Sequence, residues 1–292
     1  MEEKSKLCLG TVQFGMKYGV KNEIKRQPTY EEVVSILDTA LAAGIEIIDT
    51  ANAYGTAEEV LGRYNIAGCS VKLISKMRQG ISDNPDAVFN EIRNSLQQMK
   101  AHHLACYMLH DPKDMERNGI MQGLCAVKAA GLAETIGVSI YEPDEAMKAA
   151  CDERIDTIQI PYNILDKRLD RNHFFEVAKK NGKTLFARSI FLQGLLLMSP
   201  QSAEQKVKGS GVYVEQFQRT CKIYSFSYIE GAMLYVLSHP AIDYVVFGVD
   251  TKNQLLDNIN ISIKKVEFSS CYEELRACLN VIPREIIIPS LW

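Results

Sequence analysis

A carboxylate, a phenol, an ammonium and an imidazole stand at the ends of three successive apolar runs. Asp49 and Tyr54 belong to IEIIDTANAYG (45–55), Lys76 to VKLISKM (71–77) and His110 to LACYMLH (104–110). Together these four side chains can form a proton-donor site. A tyrosine hydroxyl has a pKa near 10, which makes it a reluctant acid at neutral pH. A neighbouring ammonium favours the phenolate and lowers that pKa. The donor then works closer to the pH at which general acid catalysis is most effective. Lys76 is the candidate ammonium. A lysine buried at a strand end needs a carboxylate partner to keep its charge, and Asp49 can supply one. His110 can donate a hydrogen bond to a substrate oxygen. The expected roles are Tyr54 as acid, Lys76 as tuner, Asp49 as anchor and His110 as orienter. Taken singly, each residue also has a plain structural explanation, such as a helix cap or an exposed rim lysine. The joint arrangement favours chemistry.

Positioning these residues requires elements that end at a common rim. The chain alternates between short apolar runs and segments with helical period. Strands are expected at about 6–12, 45–49, 71–76, 103–109, 134–139, 156–161, 183–188 and 242–247. Helices are expected over 30–44, 56–64, 84–99, 121–131, 143–151, 171–181 and 251–260, with one or two more between Tyr213 and Ser238. Strands joined by crossover helices imply a parallel sheet. Eight of them favour a closed (β/α)8 TIM barrel, an α/β fold, as one domain over residues 1–292. A barrel of this type takes about 250 residues. Barrel chemistry gathers where strands end, which is where the four residues lie. The stretch 190–212 is longer than an ordinary strand-to-helix connection, and such loops often shape substrates. The tail from about Ser269 carries a helix and an apolar end. It can be a packing strap over the rim or a segment that closes over a substrate.

Bulk properties narrow the function classes. With 47% hydrophobic and 24% charged residues, the composition is that of an ordinary globular protein. A net charge of −3, with no block of five basic residues, gives no reason to expect nucleic acid or an anionic membrane as partner. No run is long enough to span a bilayer. The start, MEEKSKLCLG, does not read as a signal peptide. Eight cysteines without any CxxC pair read as free thiols, which suggests a reducing, cytoplasmic setting. No Cys/His cluster has metal-ligand spacing, so no metal is expected.

The motifs carrying these residues resemble those of the aldo-keto reductase superfamily. The resemblance rests on LGTVQFG (9–15), DTANAYG (49–55), ISK (74–76), LHDP (109–112), IGVS (136–139), QIPYNILD (159–166), ARSIFLQGLL (187–196) and FGVDTKNQLLDN (247–258), in the family's order over most of the chain. It implies an oxidoreductase that reduces a small-molecule aldehyde or ketone, or oxidises the alcohol, by hydride transfer from a nicotinamide cofactor. It also implies for the four residues the roles derived above.

By that resemblance the cofactor lies across the barrel rim. Gly10 and Thr11, with Asp49, approach the nicotinamide ribose. Ser139 and Gln159 hold the carboxamide, offering the donor and acceptor it needs. No GxGxxG is present, so a Rossmann site is not indicated. Three departures stand out. Ile140 replaces a frequent Asn after the GVS motif. Arg188 stands where the family often has an aromatic residue, either stacking its guanidinium on the nicotinamide or touching the pyrophosphate. Gly248-Val249 and Gln254 replace the Lys-Ser pair and Arg found around a 2′-phosphate. Lys252 and Thr251, at a helix start, remain available for that phosphate. Asp257 and Asn258 match the adenine-contacting pair, and Ser189 with the 191–194 loop lies along the pyrophosphate. NADPH is favoured over NADH.

Two other classes compete with this reading. One is a non-catalytic nicotinamide-cofactor-binding barrel acting as a regulatory or structural subunit. The other is a metal-dependent hydrolytic barrel using Asp49 and His110. Five histidines are few for that, and it gives Tyr54 and Lys76 no part. Phe14, Met16, Tyr18, Tyr141 and Trp292 are candidate pocket aromatics and apolar residues. Substrate identity and oligomeric state are not written in the sequence.

Overall fold

Eight short runs become eight parallel strands that close on themselves, in a computed structural model describing residues 5–20, 24–263, 268–279 and 281–292. The strands are β1 (Leu7–Gly10), β2 (Ile47–Asp49), β3 (Lys72–Met77), β4 (Leu104–Leu109), β5 (Ala133–Ser139), β6 (Thr157–Pro161), β7 (Thr184–Arg188) and β8 (Tyr244–Gly248). Each pairs with its successor, and β1 closes the ring against β8. The fold is the expected single (β/α)8 barrel.

Register brings the strand ends to one rim. Gly10 stands opposite Asp49 on one side and Gly248 on the other. Ser139 pairs with Gln159, and Pro161 with Arg188. Inside the ring, Cys8, Ile47, Ile74, Cys106, Met108, Phe186 and Val246 form a small apolar plug. The opposite faces of the strands meet the helices in the larger core. This explains why the strands read as continuous apolar runs, since a parallel sheet is buried on both faces.

Helices follow the expected windows to within a few residues at their ends, the one expected over 121–131 starting earlier, at Asn118, and the one expected over 251–260 running on to Ile263. Thr29 opens the Tyr30–Ala42 helix with a capping box, its hydroxyl accepting from the Glu32 N–H while the Glu32 carboxylate accepts from the Thr29 N–H. Asn84 caps Pro85–Met99, with the proline at the first turn. The helix expected from residue 171 begins at Phe174, because Arg168–Arg171 forms a separate 3-10 turn. Two helices, Gly211–Ile223 and Tyr228–Leu237, fill the region where one or two were expected.

The stretch 190–212 is not an open loop. It holds a 3-10 segment, Leu192–Leu197, and a helix, Pro200–Lys206. Its first part has a run of left-handed residues: Ser189 (φ 60°), Leu192 (φ 47°), Gln193 (φ 54°) and Gly194 (φ 95°). Non-glycine residues in that region are strained, and such strain concentrates at ligand clamps. No helix among the described residues is long and apolar enough to cross a membrane.

Candidate active site

A glycine contact fixes the turn that carries Tyr54. After β1 a short helix, Val12–Gly15, presses its end against the 54–57 turn. A Cβ on Gly15 would lie 1.7 Å from the Tyr54 carbonyl oxygen, and one on Gly55 would lie 2.4 Å from the Gly15 carbonyl oxygen. Gly55 also adopts φ 58°, which a side chain would resist. The two backbones therefore touch only because both positions are glycine. Behind the turn, the Asn52 N–H donates to the Lys76 carbonyl (3.1 Å).

Asp49 and Lys76 form the buried centre. Lys76 Nζ donates to Asp49 Oδ1 and Oδ2, both at 2.7 Å, and to the Thr50 carbonyl at 3.0 Å. Three acceptors use all three ammonium protons. Lys76 is fully buried and Asp49 nearly so. Burial by itself would lower the Lys76 pKa, but the Asp49 charge and hydrogen bonds overturn that and hold it above the usual lysine value. The ammonium stays charged. On its other side, Asp49 Oδ1 accepts from Gln159 Nε2 at 2.8 Å. The Asp49 carbonyl accepts from both the Thr11 N–H and its hydroxyl, each at 3.0 Å.

Tyr54 and His110 face this pair from above. Lys76 Nζ lies 5.2 Å from the Tyr54 ring centroid, and the Tyr54 and His110 rings meet edge to face at 5.9 Å. With its protons committed elsewhere, Lys76 acts on Tyr54 through its field. The expected net lowering of the Tyr54 pKa is not found. Burial raises it above the ordinary tyrosine value, and the Lys76 charge opposes that only in part. Burial, aided by the Lys76 and Arg188 charges, pushes His110 down to about 3, so its imidazole is neutral at working pH. Its Nδ1 is buried with no protein partner.

Above these residues opens a cavity of about 490 Å³. Asp49, Tyr54 and His110 line it, while Lys76 lies beneath. Of the expected cofactor residues, Gly10, Thr11, Ser139, Gln159, Arg188, Ser189, Gly248, Gln254 and Asn258 also line it. Lys252 and Asp257 are exposed on the Lys252–Ile263 helix and do not. Gln254 Oε1 accepts from the Asp250 N–H at 2.7 Å, and Thr251 Oγ1 from the Gln254 N–H at 3.3 Å, closing the turn after β8. Arg188 donates to Ser139 Oγ (3.3 Å), Ser189 Oγ (3.2 Å) and the Ile140 carbonyl (3.0 Å), and packs on the Tyr141 ring at 4.5 Å. Ile140 thus serves through its backbone, while its side chain is core.

Among the candidate pocket side chains, Tyr18 and Tyr141 line the cavity. Phe14 is fully buried in the core instead, because its short helix turns it inward under Gly15. Met16 and Trp292 do not line the cavity, and Trp292 packs against the main core. Sequence reading missed several lining residues. Gln13 lies over Gly248, where a Cβ would come within 2.2 Å of Gln13 Oε1. Arg168, also missed, reaches the wall while held by Asp166 and Glu142, whereas Gln193, in the 191–194 loop expected beside the cofactor, lines the cavity and donates to the Tyr18 hydroxyl at 3.1 Å. The tail contributes Ile287, Ile288, Pro289 and Ser290, and its Arg284 binds Glu142 at 2.6 Å. The polar Gln13 inside LGTVQFG was a signal available for the first of these.

The closed barrel agrees with the fold of known proteins. Residues 6–276 match the Aldo/keto reductase family. The uncharacterized oxidoreductase YrpG of Bacillus subtilis (strain 168) is 24% identical over 96% of this chain and 92% of its own length. The aldo-keto reductase YhdN of the same organism is 24% identical over 87% of this chain and 83% of its own. The holo form of the aldo-keto reductase AKR11C1 from Bacillus halodurans shares the fold with a TM-score of 0.77 at 17% identity, covering 96% of this chain and 95% of that one. The chain belongs to the aldo/keto reductase family and is an oxidoreductase of that class. Aldo-keto reductases bind nicotinamide cofactors and act on small-molecule carbonyl compounds.

Proposed function

We propose that this protein reduces an aldehyde or ketone with NADPH, Tyr54 giving the proton to the carbonyl oxygen. The observation that carries the reading is the buried Asp49–Lys76 pair beneath Tyr54 and His110, on the floor of a rim cavity.

The donor set suits a nicotinamide carboxamide. Gln159 gives its N–H to Asp49, and its Oε1 is left buried without a protein partner, an acceptor for an amide N–H. Ser139 Oγ accepts from Arg188, which frees its own proton for a carbonyl. Gly10 and Thr11 would border the ribose, with Ser189, Gly248, Gln254, Asp257 and Asn258 towards the pyrophosphate and adenosine. A reduced nicotinamide held by these residues would supply the hydride for the carbonyl carbon. The chain's own residues do the remaining work. His110, neutral, donates a hydrogen bond that holds the carbonyl oxygen near the Tyr54 hydroxyl. Tyr54 transfers its proton as charge builds on that oxygen, and the Lys76 charge stabilises the phenolate left behind. Asp49 keeps Lys76 charged and in place.

NADPH is preferred over NADH because Lys252 and Thr251 stand at the N-terminus of the Lys252–Ile263 helix, where backbone N–H groups also favour a phosphate. Lys252 is exposed and outside the cavity wall, a suitable place for a group at the cofactor's outer end. Titration of the purified protein with NADPH and NADH, followed by fluorescence quenching, tests the reading. Saturable binding, tighter for NADPH, is expected. No binding of either would overturn it.

A further inference from the structure

Charged side chains in the cavity are mostly answered by opposite charges. Asp49 has Lys76, and Arg168 has Asp166 at 2.8 Å and Glu142 at 2.9 Å. Asp250 belongs to the turn after β8, where its N–H donates to Gln254. Arg188 differs: among the described residues no carboxylate pairs with it. Two hydroxyls, one carbonyl and the Tyr141 ring fix the guanidinium instead. Three of its five N–H groups make these hydrogen bonds, which leaves donor capacity on a side chain that lines the cavity. A charge placed by neutral partners, in a half-buried position and with nothing to neutralise it, is a preorganised anion receptor. Tyr54, His110 and Tyr18 line the same cavity.

We propose that Arg188 binds an anionic group on the substrate, so that the preferred substrates are carbonyl compounds carrying a carboxylate or phosphate beside the carbonyl. This rests on the carbonyl-reductase reading above and narrows its substrate class. The field of Arg188 already reaches the reacting groups. Burial is the larger influence at each, but the Arg188 charge pulls down the pKa of Tyr18, Tyr54 and His110. Apolar residues Phe191, Leu197, Ile229 and Ile288 would take the rest of the molecule.

The pyrophosphate of the cofactor is the other anion that could use this charge, and the test separates the two. The ortho, meta and para carboxybenzaldehydes are each compared with the matching formylbenzamide, a near-isosteric neutral aldehyde. Steady-state kcat/KM is measured for wild type, Arg188→Gln and Arg188→Lys, alongside NADPH affinity by quenching. The expected result is a carboxylate preference of about tenfold or more for at least one isomer. That preference should collapse in Arg188→Gln and survive in part in Arg188→Lys; because Arg188 also holds Ser139 Oγ, it is read as the carboxylate-to-amide ratio of kcat/KM at saturating NADPH. No preference in wild type overturns the proposal. So does a loss of NADPH affinity in Arg188→Gln with the preference intact, which gives the charge to the cofactor. A second measurement guards against misfolding of the variant: competitive inhibition of the wild type by benzoate, with benzamide as control, should favour the anion. Equal inhibition overturns the proposal. Absence of any nucleotide quench is a distinct result that removes the carbonyl-reductase reading itself, and this proposal with it.

Discussion

Tyr54 is the residue on which the proposed chemistry turns. Tyr54→Phe should lower reductive turnover by about a thousandfold or more while NADPH affinity stays within about twofold, since the hydroxyl acts on the substrate oxygen alone. Activity retained in that variant, with kcat near wild type, would remove Tyr54 as donor. The pH dependence follows from the same side chain. Its pKa is raised by burial, so the protonated donor is present at all lower pH and is lost only as pH rises through that elevated value. His110, pushed down to about 3, stays neutral through the physiological range. Reductive kcat should therefore be flat from about pH 5 to about pH 9, falling only beyond the ordinary tyrosine range near 10. An inflection near pH 6.5 would show that His110 titrates and would contradict its neutral role. Lys76→Met leaves the Asp49 carboxylate buried without its cation. Stability should fall by about 3–5 kcal/mol, read from chemical denaturation, and turnover should fall with it.

At the scale of elements, the short helix after β1 decides where Tyr54 stands. Gly15→Ala would put a methyl against the Tyr54 carbonyl and the Ala57 N–H, so the turn must move. A displacement of about 1 Å can cost about a hundredfold in rate. The expected result is a large loss of kcat with NADPH affinity little changed, measured on the same substrate as the wild type. The sequence announced this arrangement only in part. Strand ends were legible where apolar runs stop at polar residues, as at Asp49, Lys76 and His110, and the count of eight alternating runs gave the barrel. Asp49, Tyr54 and His110 fell on one cavity, with Lys76 under it, because register converts strand ends into neighbours. The contact between Gly15 and Gly55 was not legible, since it joins two turns that only the pairing of β1 with β2 brings together. Phe14 read as a pocket residue and is core, because a single helical turn decides which way a side chain faces. The 190–212 stretch lacked a clean period, and its left-handed residues at Leu192 and Gln193 are set by tertiary contact rather than propensity. Val20 N–H donating to the Gln193 carbonyl at 3.0 Å is one such contact.

For the whole molecule, cofactor binding should appear as stability. A ligand that binds only the folded state at a hundred times its dissociation constant adds about 2.7 kcal/mol. Thermal unfolding should therefore move up by several degrees with NADPH, and by less with NADH at the same concentration if the 2′-phosphate is read near Lys252. Equal shifts would show no preference between the two. Lys252→Ala should narrow the difference while leaving the NADH shift in place. The barrel couples these readouts, since Gln159 on β6 holds Asp49 on β2 across the rim. On the proposed reading, Gln159→Leu should therefore weaken NADPH binding and lower turnover together.

Closure between β1 and β8 carries a last consequence. Leu7 pairs with Val245 and Gly10 with Gly248, so the first strand must wait for nearly the whole chain before its second edge is covered. On the ribosome, a nascent chain halted before β8 has two raw edges and no complete rim. Binding competence should appear late and abruptly during synthesis. A chain severed between β7 and β8 should regain it only when both fragments are supplied together.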